Sequence, residues 1–466
     1  MNMFSAKNVK KPGTACALFL CATLPSISAQ TNIPGSLDTT FSNGAGADGF
    51  VRVVAVQTDG KVLVGGNFNT VRGVTSPMIA RLDADGKPDS GFNSPFPVSN
   101  FAPRIYTVGV QADSHILAAG SFTAVGGTFR TNIARLQANG GLDSSFNAGA
   151  GPNALVRILA LQPDERIIIG GEFTSVNNTN RNRIARLNAD GSLDLSFNPG
   201  TGADNVIRTV ALLPTGQILV GGLFTSFDTR SRKYLVRLNS NGSLDNTFPS
   251  GTGPNNNVYF VALQADGALL ISGDFTAVNG TNINRIARLQ SDGSLDLSFA
   301  PNGGALGGPV YQILRQGNGK LLIGGAFTSV NGSSWNRLSR VNPDGSLDSS
   351  FNPGIGASDE VLTLALQGDG MLLAGGLFAK YDGIAVGMFA RIYGDPVYPA
   401  LDALLSDAGH ILLSWPAWAS GYGLQKAPSV SPANWEAVTN LAIPQGDWLT
   451  VTLPLNSTVQ FYRLIH

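Results

Sequence analysis

The stretch that decides the fold is "IARLNADGSLDLSFNPGTG", residues 184–202, which returns almost unchanged as "IARLQSDGSLDLSFAPNGG", residues 286–304. Its centre is an Asp, usually preceded by Leu, with a Phe three residues later. Seven copies of this LDxxF element occur, at Asp38/Phe41, Asp89/Phe92, Asp143/Phe146, Asp194/Phe197, Asp245/Phe248, Asp296/Phe299 and Asp348/Phe351. The copies are 51 to 54 residues apart, a period typical of propellers and solenoids.

Two further elements recur with the same period. A Gly-x-Phe element ends an apolar run, at Phe68, Phe122, Phe173, Phe224, Phe275, Phe327 and Phe378. An arginine follows in an "ARL"-like run, at Arg81, Arg135, Arg186, Arg237, Arg288, Arg340 and Arg391. The fixed order of these elements predicts one structural unit per copy.

Each copy predicts two β-hairpins. "VRILALQ" and "IIIGGEF" flank a tight turn, and "RIARLN" and "LDLSF" flank "ADGS". Four short strands joined by turns are typical of one propeller blade. All length variation falls between the LDxxF phenylalanine and the next copy, which predicts exposed inter-blade loops. These loops and the ten-residue loops after Gly-x-Phe both follow even-numbered strands, so we expect them on one face.

The ends of the repeat region complement each other. "SLDTTF", residues 36–41, precedes any ARL strand, and "FARIYGD", residues 389–395, has no LDxxF after it. Pairing of the first segment beside the last strand would leave no free strand edge. We therefore predict an all-β chain: a seven-bladed β-propeller of about 51-residue, four-stranded blades over residues 36–394, closed by the N-terminal strand, followed by a small C-terminal β-sandwich-like module over residues 397–466.

The repeats resemble a known family. "DGSLDLSFNPGTG", "ALQADG", "GGEFTSVN" and "NRIARLNADG" are similar to the delta-60 repeats of exported bacterial proteins, in seven copies over residues 36–394. The resemblance implies a propeller fold and an extracellular setting, and it carries no catalytic residues. The copy containing "GKPDSGF" and the last copy, with "GGLFAKYDG", depart from the pattern, so we expect less regular blades there.

The first residues predict a secretory signal peptide. Three lysines precede the short apolar run "TACALFLCATL", and "SISAQ" offers cleavage after Ala29, which gives a signal peptide over residues 1–29. Both cysteines lie inside it, so the mature chain has no disulfide. No membrane span is expected after cleavage. A formal net charge of zero gives no indication of nucleic-acid binding.

The C-terminal residues 397–466 contain five strand candidates and four of the five tryptophans. They resemble the short β modules that end many exported proteins of Verrucomicrobia and related bacteria. Alternation places Trp415 in the core and Trp448 on the exposed face, and Trp418, in a turn, is expected to be exposed too. We favour docking of Trp418 and Trp448 on the propeller or the envelope over sugar binding, because the tryptophans show no regular spacing.

The repeated charges predict structure, not catalysis. Arg186 with Asp194, and Arg288 with Asp296, face each other across a hairpin turn, and a pair repeated seven times is expected to lock blades. The three histidines have no partners at metal or triad spacing. "DADGKPD" has calcium-loop spacing, but the other copies lose its first carboxylate. No catalytic residue, metal site or cofactor is therefore predicted.

The ten-residue loops are the remaining candidate site. Varied donors and rings occur there, at Arg183, Tyr234, Arg285, Trp335 and Arg337. Solvated turns are the simpler interpretation of the same residues. We expect a secreted or cell-surface, non-enzymatic scaffold that binds a glycan, peptide or envelope component through the loop-rich face. A propeller hydrolase or lyase using that face, and a purely structural surface or adhesion component, are the alternatives.

Overall fold

The structure is a computed structural model that describes residues 18–20, 33–41, 46–99, 103–248, 253–299, 303–395, 401–406, 410–419, 421–428, 434–445, 448–454 and 460–465. Most of the predicted signal peptide, including the cleavage position, lies outside these residues. Among the described residues, no helix has the length and apolarity needed to cross a membrane.

Seven three-stranded antiparallel sheets repeat along residues 50–392. Their inner strands are Phe50–Val56, Arg104–Val110, Val156–Leu161, Ile207–Leu212, Val258–Leu263, Val310–Arg315 and Val361–Leu366. Their middle strands are Val62–Asn67, Ile116–Ser121, Ile167–Gly171, Ile218–Gly222, Leu269–Gly273, Leu321–Gly325 and Leu372–Gly376. Their outer strands are Ile79–Leu82, Ile133–Leu136, Ile184–Leu187, Leu235–Leu238, Ile286–Leu289, Leu338–Val341 and Phe389–Ile392.

The fourth strand of each unit is shorter than the sequence predicts. In the third unit it is a single antiparallel bridge, Leu187 to Leu193. Pairing stops there because Asp194 Oδ1 accepts a hydrogen bond from the Ser196 N–H at 2.8 Å, which turns the chain away from the ladder. Phe197, which follows, is fully buried. The four-stranded blade is therefore confirmed, with its last strand reduced to one bridge and a turn.

Inner strands pack against one another from unit to unit, and Val361–Leu366 packs against Phe50–Val56. The apolar clusters lie between the sheets and share residues of neighbouring units, as when Ile168 of one middle strand packs with Ile207 of the next inner strand. The outer bridge of the seventh sheet is Leu37 to Ile392, formed by residues from the two ends of the repeat region.

The ten-residue loops contain small hairpins of their own. Their strands are Thr70–Val71 with Val74–Thr75, Ala124–Val125 with Thr128–Phe129, Ser175–Val176 with Thr179–Asn180, Ser226–Phe227 with Arg230–Ser231, Ala277–Val278 with Thr281–Asn282, and Lys380–Tyr381 with Ile384–Ala385. In the sixth unit Ser329–Val330 pairs with Ala305–Leu306 of the inter-blade segment. Bridges such as Pro152 to Val176 join the inter-blade segment to the loop hairpin, so both lie at one end of the sheet.

The C-terminal residues form two further sheets. One contains Asp402–Ser406, His410–Pro416, Trp448–Pro454 and Ile443–Gln445, in that spatial order; the other contains Leu18–Leu20, Gln460–Ile465, Gly423–Ala427 and Glu436–Ala437. A single 3-10 turn, Ala417–Ala419, follows the second strand. Trp415 is buried and Trp448 is 42% exposed, as alternation predicts. The side chain of Trp418 lies outside the described residues.

Candidate functional site

The repeated arginine joins neighbouring units. Arg186 Nε donates to Asp194 Oδ2 at 2.7 Å, and its guanidinium carbon lies 5.0 Å from the centre of the Phe197 ring. Its Nη1 also donates to the Ser240 carbonyl of the next unit at 2.6 Å. Arg288 makes the matching bonds to Asp296 and to the Pro343 carbonyl, at 2.7 and 3.1 Å. We call this arrangement the arginine clasp.

The carboxylates of the clasps are strongly acidic. Burial opposes ionisation of Asp194, but hydrogen bonds from Ser196 and Arg186 outweigh it and lower its pKa. The seven repeated aspartates all have lowered pKa values, which for Asp89 is about 2. They are therefore charged at neutral pH and hold their arginines in place.

The structure does not bring the five loop residues into one group. Arg183, Tyr234, Arg285 and Arg337 occupy the same position in successive units, each at a positive φ of 64–68°. Arg285 Nη1 donates to the Ala305 carbonyl at 2.7 Å, and Arg337 Nη1 to the Ala357 carbonyl at 3.2 Å. Trp335 is half-buried in the sixth loop. Ligand binding by these residues stays a prediction.

A different set of residues converges at a bulge in the inner strands. In every unit the register slips by one residue between the inner and middle strands, as between Val156 and Ile158. The residues that fall in the bulge are Arg52, Tyr106, Arg157, Arg208, Tyr259, Tyr311 and Leu362. We call these seven the bulge residues. All are half-buried and lie near the loop-rich end of their strands.

The glycine pairs explain the bulge. A Cβ on Gly171, the second glycine of "IIIGGEF", would lie 2.2 Å from the Leu155 carbonyl oxygen and 3.1 Å from the Arg157 nitrogen. Only glycine permits the inner strand to approach this closely, and the extra residue of the bulge turns its side chain away from the ladder. The corresponding glycine of every unit makes the same approach.

Arginine and tyrosine side chains stack around the bulges. The guanidinium carbons of Arg52 and Arg157 each lie 4.7 Å from the centre of the Tyr106 ring, and that of Arg104 lies 5.8 Å away. Arg208 lies 5.5 Å from the Tyr259 ring centre. The ring centre of Tyr259 in turn lies 5.4 Å from that of Tyr311, so the contacts form two groups, each spanning three successive sheets.

The arginines outnumber the carboxylates that pair with them. Arg157 Nε donates to Glu172 Oε1 at 2.9 Å. Within the described ranges, Arg52, Arg104 and Arg208 make no ion pair, and their Nε atoms are buried without a hydrogen-bond partner. Burial lowers the pKa of Arg52, and the charges of Arg104 and Arg157 lower it further, against the opposing effects of Tyr106 and Glu360. Burial and Arg157 likewise lower the pKa of Arg208.

Two of the tyrosines, Tyr259 and Tyr311, lie beside acidic groups. The Tyr259 hydroxyl donates to Asp274 Oδ2 at 2.6 Å, and burial together with this bond raises its pKa to about 12. Burial and the neighbouring Glu360 raise the pKa of Tyr311. Both phenols are therefore neutral donors at physiological pH.

The sequence analysis did not identify the bulge residues. Their signal was available, because each lies 14 positions before the second glycine of its Gly-Gly or Ser-Gly pair, or its equivalent. Arg and Tyr fill six of these seven positions. The part of the chain that the structure describes has no cluster of three or more His, Cys, Asp or Glu side chains able to hold a metal ion.

Comparison with known proteins identifies the fold. The model of a family described as "Domain of unknown function (DUF5122) beta-propeller" matches residues 57–92, 111–146, 162–197, 213–248, 264–299 and 316–351. Each match ends on an LDxxF phenylalanine. Together with the repeated sheets, the matches show that the chain is a repeat β-propeller. No curated protein matches the sequence.

The solved structures found by comparison are distant in sequence. An extracellular domain assigned to a hybrid two component system of B. thetaiotaomicron has a TM-score of 0.46 and 13% identity, covering 87% of this chain and 48% of that one. A second such domain from B. thetaiotaomicron has a TM-score of 0.39 and 12% identity, with 90% and 58% covered. The GH74 xyloglucanase from Xanthomonas campestris has a TM-score of 0.42 and 13% identity, with 80% and 59% covered. The chain thus spans about half the length of the first two structures.

Proposed function

We propose that this chain is an exported, non-enzymatic β-propeller that binds an acidic glycan at the bulge residues. The observation that carries the proposal is the group of four arginines, Arg52, Arg104, Arg157 and Arg208, of which one has a carboxylate partner within the described ranges. A predicted signal peptide and the absence of cysteine from the mature sequence support export.

A closed ring of seven blades is part of this proposal. Arg391 of the seventh sheet makes its clasp with Asp38 at 2.7 Å and donates to the Ala84 carbonyl of the first sheet at 2.8 Å. Thr363 Oγ1 accepts from the Val54 N–H at 3.2 Å, the same bond that Thr209 makes to Val261 between neighbouring units. The family model matches six repeats, and we propose that residues 36–41 and 361–392, from the two ends of the repeat region, form the seventh blade. Residues 397–466 are proposed to form a separate β-sandwich module.

Closure would place the bulge residues around one axis. Their side chains would then line the mouth of a central channel at the loop-rich face, where water access is limited and charge interactions are strong. Partly desolvated, mutually repelling guanidinium groups are stabilised by a bound anion, because the anion supplies the missing opposite charge. Arginine also presents paired donors that suit carboxylates and sulfates.

The tyrosines favour a glycan as the anion. Tyr259 and Tyr311 provide ring faces beside hydroxyl donors and the acceptors Asp274 and Glu360. Sugars need such mixed surfaces, with rings for C–H faces and polar groups for hydroxyls. Both phenols are protonated at neutral pH and can donate hydrogen bonds to the hydroxyls of a sugar.

The test is calorimetric binding of oligogalacturonate and of neutral galactan oligosaccharides to the mature chain. We expect the acidic ligand to bind and to weaken with added salt, and the Arg52→Gln, Arg208→Gln double variant to lose at least about tenfold in affinity. Arg315→Gln is the matched control, because Arg315 is exposed at the far end of an inner strand. Equal binding by the double variant would refute the site, and release of shortened oligosaccharides would refute the non-enzymatic role.

A further inference from the structure

A second open surface lies in the C-terminal module, far in sequence from the bulge residues. The sheet that contains His410–Pro416 and Trp448–Pro454 turns one face inward, with Leu413, Trp415 and Val451 in a buried cluster. Its other face holds a depression of about 240 Å³, lined by Asp402, Leu412, Ser414, Gln445, Trp448 and Thr450. The register places Asp402, Ser414 and Thr450 in one row across three strands.

The lining combines one large ring with hydrogen-bonding groups. Trp448 is 42% exposed, and the residues that line the depression with it all belong to the C-terminal module. Its neighbours across the strands are Pro416 and Gln445, and an amide, a carboxylate and hydroxyls stand within the same depression. Exposed apolar side chains on the same sheet, Leu404 and Ile443, extend the surface beyond the depression.

We propose that this depression binds a neutral, β-linked pyranose chain, with Trp448 as the stacking platform. A pyranose whose hydroxyls are equatorial presents C–H groups on its faces and hydroxyls at its edge. The indole matches the face, and Asp402, Gln445 and Ser414 match the edge. The single carboxylate accepts hydrogen bonds from hydroxyls and repels anionic ligands, which distinguishes this site from the arginine-rich one.

The sequence predicted that Trp448 docks on the propeller or on the envelope. This inference proposes sugar binding instead, because the exposed indole is surrounded by groups that suit a sugar. The inference does not depend on the acidic-glycan site, since the two sites share no residue.

The experiment titrates the full mature chain with cellohexaose, laminarihexaose and xylohexaose and follows tryptophan fluorescence and heat. We expect at least one of these to bind, Trp448→Ala to weaken that binding at least about tenfold, and Trp448→Tyr to retain most of it. Leu441→Ala is the matched control, because Leu441 is an exposed apolar residue on the segment before Ile443 but outside the depression.

Each outcome decides the proposal. The double variant Arg52→Gln, Arg208→Gln should bind the neutral chain as well as the wild type does, which separates this site from the acidic-glycan site. Circular dichroism checks that Trp448→Ala keeps its fold. If no hexasaccharide binds, or if Trp448→Ala binds unchanged, the saccharide site does not exist. A fall in melting temperature with unchanged binding would return Trp448 to a docking role.

Discussion

Gly171 shows how one residue type shapes the candidate site. Its missing Cβ lets the inner strand come within contact of the middle strand, and this contact produces the bulge at Arg157. The glycine therefore determines where the arginine side chain points. Because all seven units repeat the arrangement, the fold sets the position of the bulge residue and only the type of residue varies.

We predict that Gly171→Ala will destabilise the protein by about 1–3 kcal/mol, because the new methyl group would overlap the Leu155 carbonyl oxygen. Gly317→Ala is the control, since a Cβ there meets nothing within 4 Å and no positive φ is required. Urea unfolding of both variants measures the difference. Equal midpoints for the two would show that the strand accommodates the methyl group and that the glycine does not cause the bulge.

For single residues, the sequence predicted the exposure of side chains in regular strands but not the positions of the side chains at the bulges. The faces of Trp415 and Trp448 followed from strict alternation, because both lie in regular strands. The bulge residues did not, because a slip of one residue breaks the alternation on which such a prediction rests. The slip depends on a backbone contact between two strands. The pattern of residue types along one strand gives no information about that contact.

At the scale of the structural element, the arginine clasp joins two parts of one blade to the turn of the next blade. The guanidinium of Arg186 bonds the turn of its own unit, stacks on Phe197 and bonds the turn of the next unit. The sequence predicted the pairing with Asp194 from the hairpin, but not the bond to Ser240, since Ser240 lies 54 residues from Arg186 in the next unit. A lysine would keep the charge and lose this fork of donors.

We predict that Asp194→Ala will cost about 1–3 kcal/mol at neutral pH, because Arg186 would remain buried without its carboxylate. The lowered pKa of Asp194 sets the pH dependence: the stabilisation is complete above about pH 4, the unfolded value, and is lost as pH falls further. The cost of the variant should therefore shrink below pH 4. Denaturant unfolding at pH 7 and pH 3 measures it.

Asp190→Ala provides the matched control. Asp190 lies in the same turn and accepts hydrogen bonds from Ser192, but it is exposed and makes no ion pair within the described ranges. Its removal should have less effect than that of Asp194. A stability change in Asp194→Ala no larger than in Asp190→Ala would show that the clasp does not hold the blade.

At the scale of the whole molecule, the sequence repeat was sufficient to predict a propeller, because similar units bury similar faces against one another. The proposed seventh blade was harder to recognise from continuous segments, because its parts, residues 36–41 and 361–392, lie at opposite ends of the repeat region. Loop hairpins and single-bridge fourth strands were not predicted, because they depend on turn geometry and side-chain hydrogen bonds within each loop.

Ring closure is the property on which the central site depends, and the first segment is the part that would provide it. Leu37 pairs with Ile392, Asp38 bonds Arg391, and Phe41 is 2% exposed beside Phe389.

A chain that begins at residue 42 would lose these contacts, including about 1.5–3 kcal/mol for each buried apolar side chain, and would expose a strand edge. We expect it to melt at a lower temperature and to self-associate in light scattering, whereas a chain that begins at residue 33 should remain monomeric. A synthetic peptide of residues 33–41 should restore part of the lost stability, because the edge it would occupy is already formed. If both truncations melt alike and neither self-associates, the first segment does not close the ring, and the bulge residues need not surround one axis.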